Sequence, residues 1–402
     1  MRIAFLSSFY YKHCLQIYSK HKYLDKKSYR EQEKIIENET ICSMGQWPYY
    51  FQNEGWETLM LCRNNPFLQS KWCEENDFIP SSDDPEFEII KEQVKRFKPE
   101  ILFAFGASYY NEQNRLEELV QKIPTIKKKI CWYGAPEGKS NIFNNYDLVL
   151  TNSLELRDSL RNNEVNSEQL NHAFEPEVLN LIKKKPKVNK ICFMGSLIPG
   201  NKWHTERLKY LEKLSNIIDI DIYSDMQSLG LKNLFLKKAY ILRQNSTSYL
   251  SRFFPNNSII QYYGNPKNLP DFGDCGTSSI SPRLKSPLFG IDMLQKLSEY
   301  TLTFNLHVKE TGNCACNMRL FEATGVGTSL LSDYKKNSNQ LFENNREITN
   351  YTTITEVIDR TKYLLENPKH TKSIADAGQL RTLNEHTTEK QVVQLMYFLN
   401  QL

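Results

Sequence analysis

The stretch that most restricts the architecture lies late in the chain, between Tyr300 and Asp333. Tyr300 to His307 is an apolar, strand-like run, and Thr311 to Cys316 is a loop of small residues. Asn317-Met-Arg-Leu-Phe-Glu-Ala-Thr-Gly-Val-Gly-Thr-Ser-Leu-Leu-Ser-Asp333 follows. Met318, Phe321 and Glu322 fall at helical spacing, Gly325 and Gly327 stop the helix, and Thr328 to Leu331 starts another strand. Asn317 and Arg319 thus stand near a helix entrance, with Glu322 one turn further on. A helix entrance in an open α/β sheet gathers backbone N–H groups and partial positive charge, which suits phosphate. A carboxylate a turn later can accept hydrogen bonds from ribose hydroxyls.

The same alternation runs through the rest of the chain. Arg2 to Leu6, Trp56 to Leu61, Ile101 to Phe105, Ile130 to Tyr133 and Leu148 to Thr151 read as strands, with helical spacing at Phe87 to Phe97 and Ser153 to Leu160. Five strands alternating with helices predict a parallel α/β sheet. The polar run Lys183 to Asn189 interrupts the pattern and reads as an exposed linker. Lys190 to Met194 then restarts it, followed by a turn at Gly195-Ser196, a helix from His204 to about Leu214 and a strand from Ile218 to Tyr223. Leu229 to Tyr263 suits two helices and a short strand at Ile259 to Tyr262, and Gly264 to Ser286 reads as an insertion. Helices are expected at Leu288 to Leu297, within Tyr351 to Leu364, at Thr371 to Arg381 and at Glu389 to Leu399.

A length of 402 residues suits two domains, each able to bury a core. The net charge of +4 is too small to argue for a nucleic-acid partner, and the lysine runs at 127–129 and 183–185 read as solvated surface. No stretch is long and apolar enough for a membrane span. The apolar part of Met1 to Ser8 is too short for a signal peptide and reads as a first strand. Nine cysteines, an odd number without a framework, point to reduced thiols and a cytoplasmic setting. A peripheral contact at the inner face of a membrane stays open.

Asn-x-Arg-x-Phe-Glu-Ala-x-Gly-x-Gly at 317–327, followed by Phe342-Glu-Asn-Asn-Arg-Glu-Ile348, Ala375 to Arg381 and His386-Thr387, resembles the C-terminal half of GT-B glycosyltransferases. The group is glycosyl transferases group 1, in its spore-maturation-like subgroup. The resemblance covers about 85 residues and is weak over the first 190. It implies two Rossmann-like domains facing a cleft. An acceptor domain would occupy 1–185 and a nucleotide-sugar domain 190–384, with a helix at 385–402 that can cross back. It further implies transfer of a sugar from a nucleotide diphosphate sugar to a hydroxyl of a glycan, glycolipid or protein, without a further cofactor. A nucleotide-sugar epimerase or hydrolase on the same fold, a two-domain ligand-binding protein and a non-catalytic partner subunit are the alternatives.

By resemblance Glu322 is the ribose-binding glutamate, and Arg319, with Asn317, faces the diphosphate, where its planar fork suits phosphate oxygens. Gly195 and Ser196 stand where the family has a phosphate-binding loop, with Lys202 and Arg207 downstream as cations; without the resemblance they read as an ordinary turn. Eight residues before Glu322, where many retaining relatives carry an acid, stands Cys314; Glu310 would need a different loop path. Cys314 and Cys316 lack the four-ligand spacing of a metal site, and no metal is expected. His13, Glu137 and His172 are the candidates for the base that deprotonates the acceptor, since each falls near the carboxyl end of a first-domain strand or beside the cleft. The residues do not separate them. Tyr10, Tyr11, Trp47, Tyr109, Tyr110, Trp132 and Tyr133 suit either stacking on an acceptor sugar or core packing.

Overall fold

A computed structural model describes residues 1–41, 44–106, 109–110, 112–134, 140–198, 204–226, 242–243, 247, 280–308 and 312–402. Its strands are β1 (Arg2–Ser7), β2 (Glu57–Cys62), β3 (Ile101–Phe105), β4 (Lys128–Trp132), β5 (Leu148–Thr151), β6 (Ser167–Gln169), β7 (Val188–Met194), β8 (Ile220–Tyr223), β9 (Leu284–Lys285), β10 (Tyr300–Asn305), β11 (Ser329–Asp333) and β12 (Thr349–Tyr351). They form two six-stranded sheets, ordered β2-β1-β3-β4-β5-β6 and β12-β11-β10-β7-β8-β9. Every neighbouring pair of the first sheet is parallel, as are β10 with β11 and β11 with β12. Strands covered on both faces need apolar side chains on both, and Ile3 to Leu6 and Ile101 to Ala104 are all buried.

By compactness the chain divides into one unit of 1–191 with 288–402 and a second of 192–287. Lys183 to Asn189, expected to be an exposed linker, is exposed throughout and leads from the strands of the first sheet into β7 of the second. Lys185 Nζ lies 2.6 Å from Glu299 Oε1, and Lys187 Nζ donates to Ser298 O at 2.7 Å. The helix Thr388–Asn400 lays Val392, Leu395 and Leu399 into the cluster formed by Phe5, Trp47, Phe51, Phe103 and Ile130 on one face of the first sheet. Trp47 Nε1 donates to Gln391 Oε1 at 2.9 Å inside that contact, so the indole is buried without losing its hydrogen bond. Phe174 joins the start of the same helix through Phe174 N to His386 O at 2.8 Å and Thr388 N to Phe174 O at 3.0 Å.

The second unit continues β7 and pairs β8 with β9 in parallel. Asp219 ion-pairs with Arg283, and Asp221 is half-buried between the buried Ile220 and Ile222. Helix Thr205–Ile217 follows the Gly195 turn. The helices and strand expected within 229–263 fall outside the described residues, apart from 242–243 and 247.

Candidate functional site

In the first sheet the chain leaves β1 in one direction for β2 and in the other for β3. The carboxyl ends of β1 and β3 therefore flank a topological switch point, where open α/β sheets leave a crevice. A cavity of about 350 Å³ opens there. Its walls are Ser7 to Phe9 after β1, Phe105 and Gly106 at β3, Trp132 to Gly134 at β4, and His172, Met60, Met318, Thr388 and Gln391. Gly106 has φ +90°, a backbone conformation that L side chains rarely adopt, and a Cβ on it would meet nothing within 4 Å.

His172 is the one described base candidate that lines this cavity. Its ring lies 4.9 Å from that of Trp132, whose Nε1 donates to Leu170 O. Burial pushes the imidazole down from 6.5 to about 4, so at neutral pH it is an uncharged hydrogen-bond acceptor. His13 stands outside the cavity lining. It stacks on Phe289 at 5.4 Å, and burial lowers it to about 4 despite the opposing pull of Glu39 and Asp292. Glu137 lies outside the described residues. Of the aromatic candidates, Trp132 and Tyr133 reach the cavity, Trp47 and Tyr110 are core, and Tyr10 and Tyr11 are exposed.

The Asn317 stretch enters the helix Arg319–Gly325, which has only seven residues. A helix of two turns carries a weak dipole, so the charge expected at its entrance resides mainly on Arg319. Asn317 shapes the entry: its Oδ1 accepts from Arg319 N at 3.1 Å, while its Nδ2 donates to Asn305 Oδ1 at 2.9 Å. Arg319 and Glu322 pair with each other, Nη1 to Oε2 at 2.9 Å, with side chains 11% and 7% exposed. The guanidinium also reaches Met293 Sδ at 3.3 Å. The residues expected to grip two ends of a nucleotide thus form one buried ion pair, with Met318 between Asn317 and Arg319 in the cavity wall. Gly325 lies so close to Phe174 that a Cβ would stand 2.3 Å from its ring, which seats the helix hard against the segment carrying His172.

The loop before this helix is fixed on both sides. Asn152 donates to Cys316 O at 2.8 Å, Glu155 accepts from Asn313 N at 2.8 Å, and Asn337 brackets Ala315. Cys314, the residue where an acid was weighed, is buried. A hydrogen bond with the Cys316 thiol, helped by the Leu154 backbone and Asn337, lowers it to about 7 against the effect of burial. Among the described residues no three His, Cys, Asp or Glu side chains gather as a metal-binding group. Glu310 is outside the described residues.

The Gly195 turn belongs to the second unit. Gly195 N donates to Tyr223 O at 3.1 Å, Leu197 N to Asp225 Oδ1 at 3.2 Å and Ile198 N to His204 Nδ1 at 2.8 Å. The backbone N–H groups of Gly195, Leu197 and Ile198 are thus engaged inside the unit. Ser196 O accepts from Arg207 Nη1 at 3.2 Å, so this arginine braces the turn. Lys202 is outside the described residues.

Sequence reasoning missed His307 and Asp333. His307 is 4% exposed, and its Nδ1 lies 2.7 Å from Asp333 Oδ1. Burial opposes the charge of Asp333, but His307 and Lys335 hold its carboxyl down at about 2. The signal was available: of two ionisable residues at the ends of otherwise apolar runs, His307 falls just beyond β10 and Asp333 ends the neighbouring β11.

Residues 244–397 match a family model described as glycosyl transferase-like. No curated protein matches the chain in sequence. Among solved structures it is similar to HepE of Anabaena in complex with UDP and glucose, at 13% identity over 100% of both chains and a TM-score of 0.56. It is also similar to sucrose-phosphate synthase from Thermosynechococcus elongatus, at 11% identity over 100% of this chain and 98% of that one, with a TM-score of 0.54. The lipopolysaccharide outer core galactosyltransferase WaaB in its apo form aligns at 13% identity over 100% of both chains, with a TM-score of 0.52. The chain has the fold of the GT-B glycosyltransferases, and its residues 244–397 match a model of a glycosyl transferase-like family.

Proposed function

We propose that the chain moves a sugar from a nucleotide diphosphate sugar to a hydroxyl of an acceptor seated in the cavity at the ends of β1, β3 and β4. The observation that carries this reading is Met318. It lines the cavity while its two neighbours, Asn317 and Arg319, begin the stretch that carries the Arg319–Glu322 pair, so a donor held there lies beside the acceptor. Glu322 accepts from the ribose hydroxyls, and Arg319 faces the diphosphate and stabilises it as it departs. The transferred sugar is a hexose, and the diphosphate is stabilised by cationic side chains without a metal ion. HepE, which shares the fold, is complexed with UDP and glucose, and this supports a nucleotide-sugar donor. The acceptor is a surface glycan, a glycolipid or a protein. The setting is the cell interior; the described cysteines are all unbridged, and among the described residues no helix is long and apolar enough to cross a membrane.

A thermal-shift panel of UDP, GDP, dTDP and CMP with their sugars tests the donor half. A nucleotide at a hundredfold its Kd stabilises the chain by about 2.7 kcal/mol, a visible rise in Tm. No shift with any member of the panel would overturn the reading.

His172 takes the acceptor proton in this scheme. Its uncharged ring can receive a proton, and Trp132 holds it at the cavity wall. With the donor found by the panel, His172→Gln is expected to lower kcat by about 100-fold or more with little change in donor KM. An unchanged kcat removes His172 from the chemistry.

A further inference from the structure

The hydrogen-bonded residues behind Asn317 lead to a side chain that the scheme above leaves unused. Asn317 Nδ2 donates to Asn305 Oδ1 at 2.9 Å, Asn305 Nδ2 to Ser332 Oγ at 2.9 Å, and Ser332 Oγ to Asp333 Oδ1 at 3.4 Å. Asp333 Oδ1 also accepts the backbone N–H of His307 at 3.0 Å and lies 2.7 Å from His307 Nδ1. Its other oxygen lies 3.3 Å from Lys335 Nζ, which in turn donates to Gly312 O at 3.2 Å. Asn305 ends β10 and Asp333 ends the adjacent parallel strand β11, so the assembly stands at the carboxyl edge of the sheet, where such folds meet their ligands.

This arrangement satisfies one side of the imidazole and leaves the other. The carboxylate fixes the ring plane through Nδ1 and the backbone. Nε2 is buried and has no hydrogen-bond partner among the described residues. Buried ring nitrogens are normally satisfied, so an orphaned one marks the place of an absent partner. Holding Asp333 requires only Nδ1, which a smaller amide could supply. Nε2 has no structural use that these contacts reveal.

We infer that His307 Nε2 hydrogen-bonds an oxygen of the bound sugar nucleotide. The inference rests on the donor site proposed above and adds a contact that Arg319 and Glu322 do not make. The oxygen belongs either to the nucleoside diphosphate or to a hydroxyl of the sugar, and the two have distinct consequences for binding.

The test is calorimetric titration of the full chain with UDP and UDP-glucose, or with the pair that the nucleotide panel selects, for the native protein, His307→Asn and His307→Gln. An asparagine amide reaches the Nδ1 position and keeps the bond to Asp333, but has no atom at Nε2. A glutamine amide reaches the Nε2 position. The Asn variant is expected to bind about 10-fold or more weakly while its unliganded Tm stays near native, and the Gln variant to recover most of the loss. Weakened binding of UDP itself assigns the oxygen to the nucleoside diphosphate; weakening confined to UDP-glucose assigns it to the sugar. Native-like affinity of the Asn variant for both ligands overturns the inference. So does a Gln variant as weak as Asn with a lowered unliganded Tm, since that describes a structural ring. If the native protein binds no nucleotide at all, the donor reading fails first and this inference with it.

Discussion

Glu322→Ala is expected to cost about 3–5 kcal/mol of stability and to weaken nucleotide binding about 10- to 100-fold. The first effect follows from the ion pair. Arg319 and Glu322 meet at 2.9 Å with side chains 11% and 7% exposed, so removing the carboxylate leaves a guanidinium in poorly solvated surroundings. The second follows from the hydrogen bonds that a ribose would lose. A single variant confounds the two, but a paired design separates them. The double variant Arg319→Met with Glu322→Leu removes both charges and fills the space with apolar side chains, which for buried pairs is often neutral for stability. Its Tm is expected to return toward native while nucleotide binding stays lost. A double variant that recovers binding along with Tm would show that the pair is structural only.

Gly290→Ala is expected to destabilise the protein by about 3–5 kcal/mol, read by denaturant unfolding. Two costs add. Gly290 has φ +52°, which an alanine adopts only under strain, and its Cβ would stand 2.0 Å from the Glu39 carbonyl oxygen and 2.9 Å from His13 Nε2. A backbone carbonyl cannot swing aside as a side chain can. The helix Gly290–Ser298 would have to retreat from the helix Tyr29–Glu39, stretching the Lys20 bridge that joins Glu39 and Asp292, each at 2.9 Å. Gly55→Ala is the control. It shares a positive φ, +78°, but has nothing within 4 Å of the added Cβ, so it is expected to cost only about 1 kcal/mol. Equal losses at the two sites would refute the close-packing account.

The fold was largely legible because buried parallel strands announce themselves as unbroken apolar runs, and β1, β3, β4, β5 and β10 are of that kind. Strand β6, Ser167–Gln169, was not legible; it is a short polar strand at a sheet edge, held by backbone pairing with β5. Strand β12 hid in the same way, because Thr349–Tyr351 is too short to show alternation and Tyr351 read as the start of the following helix. Lys183 to Asn189 looked like an exposed linker by composition and is exposed, though sequence spacing cannot reveal the carboxylate and carbonyl partners of Lys185 and Lys187. At the site, the residue types at 317, 319 and 322 pointed to an anionic ligand. Sequence showed that the helix runs only from the Asn317 entrance to Gly325, but not that Arg319 and Glu322 would pair with each other. His13 and His172 looked alike in sequence; only their neighbours, Phe289 for one and Trp132 with the cavity for the other, set them apart.

The contact of Val392, Leu395 and Leu399 with Phe5, Phe103 and Trp47 bears on how the protein is made. A ribosome delivers the first sheet's strands early, with one of their faces covered only in part, by Trp47 and Phe51. That face is laid down by Thr151 and waits about 240 further residues for Val392, so the nascent chain presents an aromatic surface for much of its synthesis. Factors that shield such surfaces during translation should therefore govern the yield of this protein more than its final stability does.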